Sequence, residues 1–240
     1  MKKIIVAFFA ISTMALSSCS TLQSLSDYLS EADAARAIKE ALTIGANFGA
    51  NSLGQKGSFS RDVLLTAVLP KEAQQVVQVL DRLGLASEFN RFTNTLDNAA
   101  IDAAAKSGPI FVEGIRRISI MDAIGIVKNG GTAATDYLRL KVGDSLRNAI
   151  TPVMRTALNE YSIVQQWDKL VAPAKVLLGS KASLNLDLDH ILAVMLTNEM
   201  FKKIEEQELR IRTDATARTS TTLQRVFGKD WNAASTTPIK

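Results

Sequence analysis

The sequence predicts an all-α fold: a single multi-helix, bundle-like domain standing behind a cleaved leader. Beyond residue 30, apolar residues recur at steps of three and four, the period of a helix with one buried face. No Pro- or Gly-rich linker divides this region, and no period of about 20 to 50 residues marks a solenoid. The first residues differ in composition, with Met1, Lys2 and Lys3 ahead of an apolar run from Ile4 to Leu16.

That opening has the form of a signal peptide. The run is shorter than the roughly 20 apolar residues a membrane-spanning helix needs, and Ser17, Ser18 and Ser20 dilute its end. Leu16-Ser17-Ser18-Cys19 resembles the lipobox of bacterial lipoproteins, in which small residues fit the peptidase and the cysteine sulfur takes a diacylglyceryl group. The resemblance implies that residues 1–18 are removed and that Cys19 is the lipidated N-terminus. Ordinary cleavage at a nearby small residue, with Cys19 incidental, is the alternative. Ser20, where an inner-membrane protein of enterobacterial type would carry Asp, implies the outer membrane, with the domain facing the periplasm. Residues 19–30 then form the lipidated N-terminus and a Ser-rich tether, in which Leu22, Leu25 and Leu29 have helical spacing. Cys19 is the chain's one cysteine, so an acylated protein has no disulfide and its stability rests on burial. The chain is long enough to bury a core without staples.

The helical domain is expected over 31–228. Ala32, Ala35, Ile38, Leu42, Gly45 and Phe48 predict a helix that stops where Asn, Gly and Ser cluster between Asn51 and Gly57. Val63 to Leu69 is continuously apolar, so period cannot separate a buried strand from a helical turn. Pro70 is placed to open a helix carrying Ala73, Val76, Val77, Leu80 and Leu83, closed by Gly84. Phe89, Phe92, Leu96, Ala99, Ala100 and Ala103 mark the next, its alanine-rich half allowing close approach of a neighbour, with a break at Gly108-Pro109. A further stripe, Ile110, Phe111, Ile115 and Ile118, continues after a bend near Ser119 through Val127, and Asn129-Gly130-Gly131 stops it.

Thr132 is placed to cap a helix carrying Tyr137, Leu138, Val142 and Leu146 to Ile150, with Pro152 opening a short one through Leu158. Trp167, Leu170, Val171, Val176 and Leu177 predict one or two short helices interrupted at Pro173. The longest helix is expected from Asp187 to Arg212, with Ile191, Val194, Met195, Asn198, Phe201 and Ile204 as its stripe. Leu223, Val226 and Phe227 give a last helix before Gly228, and residues 229–240 read as a flexible tail.

The formal charge of +4 includes Lys2 and Lys3 of the leader, and the remaining basic residues alternate with acidic ones, as from Lys202 to Arg212. Nucleic acid, which selects a concentrated basic stripe, is therefore not expected as a partner. His190 is the one histidine and Cys19 is committed to lipid, so no metal and no cofactor is expected. His190 reads as a structural or surface residue. Gly-x-Ser-x-Gly, Ser-x-x-Lys, Walker and Gly-x-Gly-x-x-Gly motifs are absent, and no catalytic residue is assigned. Asp187 and Asp189 read as capping a helix start rather than as a glycosidase pair. Glu206 and Arg210 have the spacing of a surface ion pair, whereas Glu206 and Arg212 could enter a polar cluster over the core.

A resemblance adds to this reading. Ile110-Phe111 through Ile118, Met121-Asp122-Ala123, Gly130, Ala133-Ala134-Thr135 and Tyr137, then Glu205-Glu206, Ile211-Arg212, Arg218 and Leu223 to Gly228, resemble a bacterial family catalogued as domain of unknown function 4197. It extends from about Ala37 to Gly228. The chain departs from it at Asp97-Asn98-Ala99-Ala100-Ile101, where the family pattern runs Asn-Arg-Ala-Ala-Glu. The resemblance implies a helical, exported, often lipidated protein and supplies no reaction. Asp122, Thr135, Glu206 and Arg212 match its polar positions, which makes them candidates for an internal polar network or a ligand-facing patch. The competing reading has Asp122 capping the helix after Ser119 and Thr135 bonding back to its own backbone.

The expected function is a non-enzymatic envelope lipoprotein, held to the membrane through its N-terminal lipid, that binds an envelope protein or lipid partner. The alternative is a carrier of an apolar or lipid ligand between helices. A carboxylate-dependent enzyme using Asp122 and Glu206 is the third reading.

Overall fold

The computed structural model describes residues 28–59, 63–65, 73–179 and 187–233, and among these every regular element is helical. In chain order the helices are α1 (Glu31–Leu53), α2 (Ala73–Arg82), α3 (Ala86–Arg117), α4 (Ala123–Asn129), α5 (Ala133–Glu160) and α6 (Ile163–Val171). A 3-10 turn at Ala172–Ala174 leads into α7 (Lys175–Leu178), followed by α8 (Leu188–Thr213), a second 3-10 turn at Ala215–Ala217 and α9 (Thr221–Phe227). The fold is all-α and forms a single domain. The leader, Cys19, the tether before Tyr28, the expected helix start at Pro70 and the tail beyond residue 233 lie outside the described residues.

Four long helices, α1, α3, α5 and α8, pack as a ring in which each lies against two others. Their contacts fix the direction of each. Ala50 of α1 and Gly54 just after it meet Gly108 and Ala105 of α3, whereas Lys39 reaches the Arg116 carbonyl, so these two run antiparallel. Gly45 and Gly49 of α1 lie against Ile204 and Lys203 of α8, again antiparallel. Gly114 of α3 meets Leu146 of α5 while Lys106 pairs with Glu160. On α5 and α8, Thr135 bonds Glu208 and Arg155 bonds Asp189. The result is an up-down-up-down bundle. Phe111 of α3 and Phe201 of α8 meet edge-to-face across its middle, centroids 5.4 Å apart.

Small residues set how closely the helices approach. A Cβ on Gly108 would lie 2.8 Å from the Ala50 Cβ, and one on Gly45 would lie 3.0 Å from the Ile204 Cα. Ala99, Ala100, Ala103 and Ala104 are fully buried on α3, the close-approach face expected of the alanine-rich half. Because Ala105 and Gly108 are level with the end of α1, residues 86–104 of α3 project past it. The shorter helices cover this extension: Trp167 of α6 packs on Phe92 at 5.1 Å, and Val76 and Leu80 of α2 are buried. Residues 63–65 are helical with Leu64 buried, which answers the strand-or-helix question for that part of the 63–69 run.

Several expectations need correction. Gly108-Pro109 does not break a helix: α3 runs unbroken for 32 residues and is the longest, ahead of α8 with 26. Pro152 does not open a new helix either, since it lies within the 28 residues of α5. The reason is shared. Each proline removes one N–H and frees the carbonyl four residues earlier, but Pro109, Pro152, Ala105 and Asn148 all face solvent, where water can satisfy that carbonyl. Buried Ser107, Gly108 and Phe111 around Pro109, and Ile150 and Met154 around Pro152, hold the helix through the defect.

On α8 the buried stripe is Leu188, Leu192, Leu196, Met200, Phe201, Ile204 and Ile211 together with Thr197 and Glu208, which shares Phe201 and Ile204 with the expected stripe and departs from it in the N-terminal half. Asn198 is exposed, and Ile191, Val194 and Met195 are only partly buried. The expected positions before Phe201 lie one row away from the core, because the buried row there is interrupted by the polar Thr197. Thr132 sits at the N-cap of α5 but makes no capping bond, and its hydroxyl donates to Asp136 instead. No helix among the described residues is long and apolar enough to cross a membrane.

Candidate functional site

The most concentrated chemistry lies at the end of the bundle where α1 begins and α8 ends. Glu208 sits on the buried row of α8 and is 1% exposed. Its Oε1 accepts from the Ala134 N–H at 3.0 Å, and its Oε2 accepts from the Thr135 N–H at 2.7 Å and the Thr135 hydroxyl at 2.6 Å. One turn later, Arg212 donates to Oε1 through Nε at 3.0 Å and Nη2 at 2.8 Å. The free N–H groups at the start of α5 are thus served by a carboxylate from another helix, which is why Thr132 has none left to cap.

Arg212 works in the opposite sense. Its Nη1 donates to the Val127 carbonyl at 3.0 Å and its Nη2 to the Ile126 carbonyl at 3.2 Å, while its guanidinium lies over the Phe227 ring at 4.9 Å. These are carbonyls of the last turn of α4, so cation and anion each face the helix end whose dipole they complement. Every oxygen of Glu208 is hydrogen-bonded, and the pair ties α4, the Gly130-Gly131 turn, α5 and α8 together. Such a group is built to hold a structure, because it has no vacant lone pair directed at a substrate.

Two further carboxylates serve helix starts nearby. Glu31 of α1 accepts from the Ala123 N–H at 2.8 Å and the Ile124 N–H at 3.4 Å, and Asp122 accepts from the Gly125 N–H at 2.9 Å. The Tyr137 hydroxyl donates to the Ser119 carbonyl at 2.8 Å, fixing the connection from α3 to α4.

Of the four candidate residues, the structure brings only Thr135 and Arg212 together, and both bond Glu208. Asp122 caps α4, and Thr135 bonds Glu208 rather than its own backbone. Glu206 is exposed and accepts from Lys203, not from Arg210 or Arg212; Arg210 instead faces Asp214. Asp187 makes no capping bond, whereas Asp189 accepts from the His190 N–H at 2.9 Å and pairs with Arg155. His190 is exposed. Among the described residues no group of three or more His, Cys, Asp or Glu side chains is placed to hold a metal. Glu208 and Glu31 are the residues that sequence reasoning missed. For Glu208 a signal existed, since it lies four residues beyond Ile204 and seven beyond Phe201, on their face.

A different kind of site opens on the side of the bundle. Between α3 and α5 lies a groove of about 590 Å³ lined by Pro109, Ile110, Gly114, Ile118, Val142, Ser145, Leu146 and Ala149, with Glu113 and Arg117 at its edge. Gly114 forms its floor, where a Cβ would meet Leu146 at 3.0 Å. Hydrogen bonds from Arg116 and Arg117 hold the Glu113 carboxyl at about 2, so it stays ionised. A smaller cleft of about 270 Å³ between α1 and α9 is lined by Asp33, Arg36, Thr221, Thr222 and Arg225, with Asp33 bonded to Arg225 at 2.7 Å.

No curated protein and no solved structure matches the chain. The family described as "Protein of unknown function (DUF4197)" matches over residues 28–228, which takes in all four long helices, the Glu208–Arg212 pair and the groove, and the chain belongs to that family.

Proposed function

We propose that this protein is an envelope lipoprotein, anchored through lipid on Cys19 in the outer membrane and facing the periplasm, whose bundle is a non-enzymatic binding module. The observation that carries the binding role is the groove between α3 and α5. Its volume falls within the range of about 300 to 1,000 Å³ typical of ligand sites, and its wall is mostly aliphatic with charge at one edge. The best-connected polar cluster is fully hydrogen-bonded within the protein, which favours scaffolding over chemistry. The anchor reading is supported by the leader and by Leu16-Ser17-Ser18-Cys19.

Two experiments test the two halves separately. Intact-mass analysis of the protein purified from its membrane should show loss of residues 1–18 and acylation at Cys19, and Cys19→Ala should abolish membrane retention. A retained leader, or an unmodified thiol, refutes the anchor. A photocrosslinking residue at Ser145 in intact cells should give discrete adducts that the same residue at exposed Leu140 does not; equal labelling from both refutes the groove as the binding surface.

A further inference from the structure

We infer that the groove between α3 and α5 takes a single long acyl chain bearing a carboxylate, a fatty acid, with its head on Arg117. The inference rests on the groove being the binding surface, and not on the anchor at Cys19.

The groove is amphipathic along its length. From Pro109 to Ile118 it follows α3 for nine residues, about 14 Å at the helix rise. Toward the Pro109 end its wall is Ile110 and Ala149, which offer hydrocarbon and no charged group, and Leu146 packs against Gly114 at mid-groove. Two charged side chains are among those that line it: Glu113, midway between Pro109 and Ile118 and already bonded to two arginines, and Arg117, at the Ile118 end. A ligand matching this gradient is apolar over most of its length and polar at one tip. A helical peptide segment would need a broader apolar trough and would leave the charged edge unused.

The sign of the tip follows from the hydrogen bonds at that edge. Glu113 is already satisfied by both arginines, accepting from Arg116 through Nε and Nη2 at 2.8 Å each and from Arg117 through Nε. Arg117 uses only Nε in this way, and among the described residues its two terminal nitrogens have no hydrogen-bond partner. One carboxylate between two guanidinium groups leaves a single positive charge over. A planar guanidinium with free terminal N–H groups matches one planar carboxylate in paired hydrogen bonds. The depressed Glu113 carboxyl stays an anion and cannot donate a proton to a second acid, so the head must be met by Arg117. Gly114 matters because any side chain there would fill the floor against Leu146.

The test uses the full-length protein in membranes from the cells that make it, with palmitic acid carrying a photoreactive diazirine as the probe. Adducts should map to peptides containing residues 109–118 and 142–149, and any on the peptide carrying Cys19 are counted separately as anchor. Ser145→Trp, which fills the groove from an exposed position, should abolish the groove adducts, whereas Leu140→Trp on another face of α5 should leave them. Arg117→Gln should reduce labelling by the acid about tenfold, and the probe's methyl ester should label the native protein as weakly as the acid labels Arg117→Gln. Thermal unfolding confirms that each variant is folded. Adducts scattered over the surface, or unchanged by Ser145→Trp, overturn the acyl site. Equal labelling by acid and ester overturns the assignment of the head to Arg117. Groove adducts on a protein whose Cys19 proves unmodified would sink the anchor and leave this inference standing.

Discussion

Replacing Glu208 by alanine perturbs the fold at its most connected polar residue. It removes five hydrogen bonds at once, two from backbone N–H groups of α5, one from the Thr135 hydroxyl and two from Arg212. The Arg212 side chain, 10% exposed, keeps its two carbonyl acceptors on α4 but loses its counter-charge. Removing one partner of a buried ion pair costs about 3–5 kcal/mol, because the survivor is left charged and desolvated. In a domain of this size each kcal/mol lowers the melting temperature by about 2–4 °C, so a fall of about 6–20 °C is expected. Urea unfolding followed by far-UV circular dichroism measures the loss directly. Glu206→Ala, two residues away on the exposed face with only a Lys203 partner, is expected to change stability by less than about 0.5 kcal/mol. Replacing Glu208 and Arg212 together by methionine should recover part of the loss, since no charge remains buried, although the N–H groups of Ala134 and Thr135 still lack an acceptor. A Glu208→Ala variant within 1 kcal/mol of the native protein, or a double variant worse than the sum of the single ones, would refute the account of this pair as the tie between α4, α5 and α8.

Two further outcomes follow from packing and burial. Gly108→Ala should destabilise by about 1–3 kcal/mol despite its better helix propensity, because the new Cβ meets Ala50 at 2.8 Å, whereas Gly143→Ala, whose nearest neighbours stand at 3.7 and 3.9 Å, should stabilise by up to about 1 kcal/mol; calorimetry of the pair separates crowding from propensity. Burial pushes the Asp97 carboxyl above its ordinary range; among the described residues its Oδ1 has no partner and its Oδ2 receives only a long bond from the Gly57 N–H at 3.4 Å. Because the folded-state value is raised, the native protein loses stability as pH rises through it. Asp97→Asn should therefore be more stable than the native protein at pH 7, with the advantage shrinking as pH falls toward about 4, read as the difference in urea midpoints. An advantage independent of pH would assign the effect to something other than the charge.

What could be read from the sequence divides along a physical line. A helix of this bundle buries one face, so a local period of three and four is enough to reveal α1, α2, α6 and α9, and the alanine run from Ala99 announces a close helix contact before the partner is known. Proline fails as a stop signal at Pro109 and Pro152 because its cost depends on where the freed carbonyl points. That is a property of the opposite face of the helix, and the flanking apolar residues do not encode it locally. Glu208 shows the complementary limit. A carboxylate on a buried stripe reads as a fault in the pattern unless its acceptor capacity is matched to donors elsewhere, and those donors, the N–H groups of Ala134 and Thr135, lie more than seventy residues earlier in the chain. They are also invisible as side-chain chemistry, since any residue but proline offers an N–H. The i,i+4 relation of Glu208 to Arg212 and its phase with Phe201 and Ile204 were nevertheless in view, and together they distinguish a buried pair from a solvated one. The same reasoning explains why Glu206, equally acidic and only two residues before Glu208, falls outside the network. It lies about 200° around α8 from Glu208, and no rotamer brings a side chain through its own helix. Position on the buried face, more than residue type, decides which of the charged residues between Lys202 and Arg212 hold the fold and which meet water.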